Sequence, residues 1–329
     1  MKRTQTIDEF QRRISYRGDL IPLLTKICQD YNIGSYLDHE IRKVGYEDFN
    51  VIVTTDKDKF FFKFFSDLKD LATRKRYVDI IERVLKAGVN HPSLHRSPHG
   101  LLYVKDFDGA TVRLVVLDYL SGRTFYDLKV RPSEEEIKEI TRQAAKINKI
   151  DFKPLFFYDE WAVANFTNEY EKKDKYLESS DIEPLRQVYE RFGKVNLDKL
   201  PKCFVHGDII NTNVIKDDAG KIYIIDYSVS NTYPRIQELA VMLCDLFFDK
   251  EHKENFIKTF DLVLATYQTI NPLTPEEIRL LPTFIQTAHA MHILITSYEK
   301  VVKHNESAGN YFYQNEGREG LSFTLDLWR

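Results

Sequence analysis

The sequence predicts an α+β chain in two parts: a small antiparallel sheet with one main helix, then a larger, mostly helical part. Three observations carry this. Alternating apolar residues are concentrated before Ser121-Gly122. Helical apolar spacing dominates after that point. Within the helical part, Cys203–Tyr227 (CFVHGDIINTNVIKDDAGKIYIIDY) breaks into strand, polar loop, strand, turn and strand.

The composition sets outer bounds. With 43% hydrophobic and 29% charged residues in 329, the chain is ordinary for a globular protein. That length suits about two domains, each with its own core. A net charge of −3 supplies no general attraction to nucleic acid. Cys28, Cys203 and Cys244 are far apart and form no metal or disulfide pattern, so a reducing compartment is expected. The basic start MKRTQTIDEFQRR has no apolar stretch after it, which argues against a secretory signal. No segment approaches the ~20 apolar residues of a membrane helix. A cytoplasmic protein without nucleic-acid or membrane partners is therefore expected.

In chain order, residues 1–40 read as mostly helical, an N-terminal extension. Leu20, Ile21, Leu23, Leu24 and Ile27 share a helical face, and Asn32-Ile33-Gly34 ends it. Arg17-Gly18-Asp19 reads as a turn. Phe49, Val51 and Val53 then alternate, Thr55–Asp58 turns, and KFFFKFF (59–65) returns as an aromatic strand. Lys63 within it has two readings: an edge-strand lysine that resists aggregation, or a lysine aimed at phosphates. Residues 66–88 read as a helix with Val78, Ile81, Val84 and Leu85 inward and Gly88 as its stop. Asp79 and Glu82 lie on its polar flank, and Glu82 is the expected partner of Lys63. His91, His95 and His99 are four apart, but Pro92, Pro98 and Gly100 break any helix that would align them on a metal. Leu101–Val104 and Arg113–Leu120 read as two more strands around Asp108-Gly109.

Beyond Gly122, Ser133 with Glu136 forms a capping box, and Ile137, Ile140, Ala144, Ile147 and Ile150 share a face. Residues 151–200 read as helices, with the run EKKDK as a solvated face. Arg235–Phe248 reads as a buried helix. Thr274-Pro275-Glu276-Glu277 opens another. His289 and His292 on that apolar helix read as core or surface histidines. The domains are thus expected at 1–120 and 121–329, with a nucleotide in the cleft between them.

Cys203–Tyr227 carries the chemistry. Asp217–Gly220 is a turn, so the strands around it should bring Asp208, Asn213 and Asp226 to one end. Two carboxylates and an amide offer the oxygen ligands that Mg²⁺ prefers. Phosphoryl transfer needs a base, such metal ligands and a cation on the donor's phosphates. Asp208, after the tight His206-Gly207 turn, is the candidate base, and Asn213 and Asp226 are the candidate metal ligands. Lys63, oriented by Glu82, would hold the phosphates. Asp118, Tyr119 and Leu120 would offer backbone groups to the nucleotide base.

HGDIINTN followed by IIDY resembles the phosphotransferase family that includes aminoglycoside phosphotransferases, choline kinases, methylthioribose kinase and bacterial homoserine kinase. The family pattern is His-Gly-Asp, an Asn five residues past the Asp, and Ile-Asp-aromatic about a dozen residues later. The resemblance implies a two-lobed protein kinase-like fold. It carries the catalytic base onto Asp208, metal ligands onto Asn213 and Asp226, the phosphate lysine onto Lys63, and the hinge onto Leu117–Leu120. PRIQELA (234–240) matches an acidic-Leu-Ala segment, with Glu238 in the acidic place. GYEDFNVIVTTDKDKFFFKFF is most similar to the homoserine kinase-like branch. Three departures stand out. Only Gly45 lies between Val44 and Asn50, so there is no dense glycine loop; Tyr227-Ser228 stands where protein kinases carry Phe-Gly; Asn148 stands where many members carry His.

The implied function is transfer of the γ-phosphate of ATP, with GTP left open, to a hydroxyl of a small amino alcohol, sugar or aminoglycoside-like molecule. The alternative is a nucleotide-binding regulatory or scaffold protein that keeps the fold without transfer. Asp245, Asp249 and Glu238 would favour a cationic acceptor, whereas Arg235 would favour a carboxylate.

Overall fold

A computed structural model describes residues 8–42 and 48–328. Gly45, the lone glycine of the expected phosphate-loop region, lies outside the described residues. The chain divides into two compact units. The first runs as far as Lys86 and resumes over His91–Ser121; the second takes Ala87–Asn90 and everything from Gly122.

In the first unit the helix α1 (Leu20–Tyr31) is followed by β1 (Tyr36–Arg42), β2 (Phe49–Thr55), β3 (Lys59–Phe64), α2 (Leu71–Lys86), β4 (Tyr103–Phe107) and β5 (Ala110–Asp118). The strands form one antiparallel sheet in the order β1-β2-β3-β5-β4. α1 is capped by the Asp19 side chain on the Ile21 amide, and Asn32 ends it in the left-handed conformation at φ 55°. Helix does not continue to residue 40 as expected, because Tyr36–Arg42 pairs with β2 as an edge strand. Its charged, largely exposed residues hid the alternation.

Both faces of the sheet are covered. Leu20, Leu23, Leu24 and Ile27 of α1 pack with Phe60, Phe62 and Phe64 on one face. Phe61, Phe65, Val115 and Leu117 face Tyr77 and Val78 of α2 on the other. A strand covered on both faces reads as continuous apolar sequence, which explains KFFFKFF. β3 is central, so the edge-strand reading of Lys63 falls away.

The second unit contains β6 (Gly122–Thr124), α3 (Phe125–Leu128), α4 (Glu134–Ile147), α5 (Phe166–Lys173), α6 (Ser179–Phe192), β7 (Lys202–Val205), β8 (Val214–Asp217), β9 (Ile222–Ile224), β10 (Asn231–Pro234), α7 (Ile236–Cys244), α8 (Lys253–Gln268), α9 (Pro275–Val302) and α10 (Ala308–Leu327). The capping boxes Ser133/Glu136 and Thr274/Glu277 both form. β8 and β9 form the expected hairpin, flanked by β6. β7 does not join it; it pairs instead with β10. α10 lies close on α9 because Gly320 has no Cβ to meet the His289 ring. The run EKKDK is not wholly solvated. Lys173 is buried and pairs with Glu160 at 2.7 Å and with Glu169, because α5 turns that one residue inward.

Arg235 is committed to the fold. It forks onto Glu277 at 2.6 and 2.7 Å and also reaches Asn271 and the Pro272 carbonyl. Glu277 is fully buried, so the pair leaves Arg235 unsuited to receive an acceptor carboxylate. Removing one partner of a buried pair costs about 3–5 kcal/mol. Glu277→Gln should therefore lower the melting temperature by roughly 6–20 °C, given about 2–4 °C per kcal/mol for a domain of this size. A thermal melt within a degree of wild type would refute this role.

Candidate active site

The loop between β7 and β8 is shaped from below. Glu238 on α7 is fully buried, and its carboxylate accepts the backbone N–H of His206 at 2.6 Å and of Gly207 at 3.2 Å. Asn148, at the end of α4, donates to Glu238 at 3.2 Å and to the Phe204 carbonyl at 3.0 Å, and accepts Tyr267 Oη–H at 2.7 Å. The departure from His at this position thus has a structural place: an amide both donates and accepts there. Gly207 adopts φ +85°, the left-handed region that favours glycine. His206 is fully buried; its Nδ1 accepts the Asp208 N–H at 3.1 Å and its Nε2 donates to the Ile225 carbonyl at 3.0 Å. Burial lowers its pKa to about 4, so it is neutral, as that pattern requires.

Asp208 and Asn213 are brought together directly. Asn213 Nδ2 donates to Asp208 Oδ2 at 2.7 Å and to the Asp208 carbonyl at 3.0 Å. The Asn213 backbone carbonyl in turn accepts the Ile225 N–H at 2.9 Å, next to Asp226 just past the end of β9. Asp226 sits at φ +63°, a left-handed conformation costing on the order of 1 kcal/mol or more in a non-glycine residue. Its Oδ1 accepts the Ser228 N–H at 3.3 Å. Asp208 is raised to about 8, by burial first and then by Asp226, Asp159 and Asp245, while Asn213 pulls it down. Asp159 is itself raised to about 6 by burial. No pattern in the sequence marked Asp159, which reaches this neighbourhood from the loop before α5.

The three acidic residues named for an acceptor part company. Glu238 lies under the loop. Asp249 caps the Glu251 and His252 amides and pairs with Arg131. Asp245 remains: its Oδ1 takes the Asn211 N–H at 2.7 Å, while its buried Oδ2 has no hydrogen-bond partner. Glu316 of α10 also has a partnerless buried Oε2, and Asp245 contributes to raising it to about 8, after burial itself.

The remaining expected residues are in the first unit. Lys63 Nζ meets Asp48 Oδ2 at 2.9 Å. Glu82 does not orient it: that side chain is half exposed and faces Arg96 at 3.7 Å, because the buried face of α2 carries Arg74, Arg76, Val78 and Ile81 instead. Asp118 accepts from His95 Nε2 at 2.6 Å, and its N–H donates to the Ser93 carbonyl at 3.1 Å. The Lys59 ammonium lies 5.8 Å from the centre of the Tyr119 ring, and Leu120 is half-buried. His91, His95 and His99 share no helix, and His289 bonds Cys244 Sγ at 3.2 Å in the core. Among the described residues no group of three or more His, Cys, Asp or Glu side chains could hold a metal. No described helix is long and apolar enough to cross a membrane.

The fold is the two-lobed protein kinase-like α+β fold. The structure of a microcompartment-associated aminopropanol kinase superposes with a TM-score of 0.67 at 11% identity, covering 93% of this chain and 96% of that one. An amicoumacin kinase, in complex with AMP-PNP and Ca²⁺, superposes with a TM-score of 0.64 at 14% identity, covering 94% of each chain. A homoserine kinase of Chelativorans sp. (strain BNC1) is 23% identical over 284 residues, 84% of each chain. The family model described as the phosphotransferase enzyme family matches residues 39–273, and the chain belongs to that family.

Glu238 gives the site a pH signature. Burial raises its carboxyl to about 7 from an ordinary 4.5, against the pull of its donors. Between those values the folded chain keeps a proton that the unfolded chain has lost. This contribution to stability is therefore complete below about pH 4.5 and is lost as pH rises to 7, by about 3 kcal/mol at most. Glu238→Gln should flatten the fall in melting temperature between pH 5 and 7.5, measured beside wild type. An equally steep fall in the variant would count against the assignment.

Proposed function

We propose that the chain transfers the γ-phosphoryl group of ATP, with Mg²⁺, to a hydroxyl of a small molecule, with Asp208 as the base. The observation that carries this reading is the Asp208 carboxylate held by the Asn213 amide at 2.7 Å. That bond turns the Asn213 nitrogen to Asp208 and leaves its oxygen, with the Asp226 carboxylate, as an all-oxygen donor set suited to a hard cation. Asn213 and Asp226 would hold the cation, which when bound would offset the like charge that raises Asp208 and neutralise charge on the donor.

The chain's own groups do the rest. Asp208 orients the acceptor hydroxyl and takes its proton. Lys63 meets the donor's phosphates as a point charge. With the Asp118 carboxylate and N–H engaged by His95 and Ser93, the remaining backbone groups of Asp118, Tyr119 and Leu120 meet the base. The AMP-PNP and divalent ion named with the amicoumacin kinase support an ATP-type donor.

The acceptor in this reading carries a protonated amine beside its hydroxyl. The partnerless oxygens of Asp245 and Glu316 support that class. So do homoserine and aminopropanol, the acceptors in two relatives' names, each of which holds an amine and a hydroxyl.

Coupled assays of ADP release test this. Activity should vanish with a chelator and return with Mg²⁺. 1-Amino-2-propanol should exceed uncharged 1,2-propanediol in kcat/KM by at least about tenfold. Asp208→Ala should lower kcat by on the order of 10²–10⁴-fold. Nucleotide-dependent stabilisation with no phosphorylated acceptor, or an unimpaired Asp208→Ala, would sink the proposal.

A further inference from the structure

We infer that Asp48, immediately before β2, is the positioning residue for Lys63, the role expected of a carboxylate on α2. The inference rests on the reading of Lys63 as the phosphate-binding lysine.

Lys63 stands on the α2 face of a central strand, paired with Asn50 of β2. Its side chain is 14% exposed, so an opposite charge nearby is needed to keep the ammonium there. α2 offers none: Asp79 and Glu82 point outward, and its buried polar residues are Arg74 and Arg76. What α2 presents is Tyr77, with Lys63 Nζ 5.5 Å from the ring centre.

Asp48 has the opposite character. It is 5% exposed. Oδ1 accepts the Ser66 N–H at 3.1 Å, which fixes the carboxylate from the far end of β3. Oδ2 receives both Lys63 at 2.9 Å and Lys69 at 2.8 Å. The Asp48 carbonyl is held by Arg13 at 2.9 Å. Burial alone would raise this carboxyl, but Lys63 and Lys69 outweigh it and hold it below the ordinary range. Asp48 thus receives the Lys63 ammonium on an oxygen of a carboxylate that the Ser66 amide already holds in place. The alignment comes from the edge of the sheet, since Asp48 immediately precedes β2, the strand whose Asn50 pairs with Lys63.

Steady-state kinetics on the full chain, with ATP varied at saturating acceptor, test this as a cycle of Asp48→Asn, Lys63→Ala and the double variant. Asp48→Asn keeps the Ser66 contact and removes the charge. It should lower kcat/KM for ATP by on the order of tenfold or more. In the Lys63→Ala background it should lower it no further, because Asp48 acts through Lys63. Asp48→Glu, which keeps the charge, should recover part of the loss, and it replaces Asp48→Asn in the cycle if the neutral variant does not fold. A merely structural role would lower the melting temperature in both backgrounds and multiply with Lys63→Ala. Multiplicative losses overturn the inference, as does a Glu82→Gln loss matching that of Lys63→Ala while Asp48→Asn stays active. A wild-type rate in Lys63→Ala overturns the underlying reading of the lysine, and the inference with it.

Discussion

The geometry of the loop between β7 and β8 depends on one buried carboxylate. Glu238 accepts two successive backbone amides, His206 and Gly207, at the turn that presents Asp208. The buried His206 amide would otherwise lack a partner, at a cost of about 1–3 kcal/mol. Asn148 completes the arrangement by joining Glu238 to β7 and, through Tyr267, to α8. The loop's shape is thus set by α4, α7 and α8, none of which contributes a side chain to the proposed chemistry.

On that base the loop concentrates like charge. Asp226, Asp159 and Asp245 all push Asp208 upward, and burial raises Asp159, Asp208 and Asp245. A fold that only sought stability would not gather carboxylates in this way, because each desolvated charge is costly unless it is paired. The left-handed Asp226 is a second cost at the same place. Perturbed carboxylates grouped in this way are a mark of function. Arg235 shows the contrast: Glu277 pairs its charge bidentately, and Asn271 and the Pro272 carbonyl take two more of its donors.

The first unit follows the same division between packing and charge. α1 and α2 cover opposite faces of the sheet, so β3 could be aromatic on both sides and still admit Lys63 at one position. A lysine in a central strand needs its counter-charge within the unit, and Asp48 supplies it from just before the neighbouring strand. A helix-borne partner was the natural expectation from order along the chain. Which face of α2 carried acid was a matter of helical phase, and that phase turned Tyr77 inward and Glu82 outward.

Local signals determined much by themselves. The capping boxes at Ser133 and Thr274, the Asp217–Gly220 turn and the hairpin after it are encoded within a few residues, and they form as read. The spacing from His206 through Asp208 and Asn213 to Asp226 pointed to an oxygen donor set, and its resemblance to a family pattern pointed to a phosphotransferase; the short loop brings Asn213 onto Asp208. Tertiary structure decided the rest. It paired β7 with β10 rather than with the hairpin, made Tyr36–Arg42 an edge strand, and buried Lys173 from a charged run. It gave Lys63 to Asp48, and it brought Asp159 and Glu316 toward residues that are distant in sequence. Each of these depends on which partner lies across a contact. A run of side chains states its period and its caps, but not what will face it.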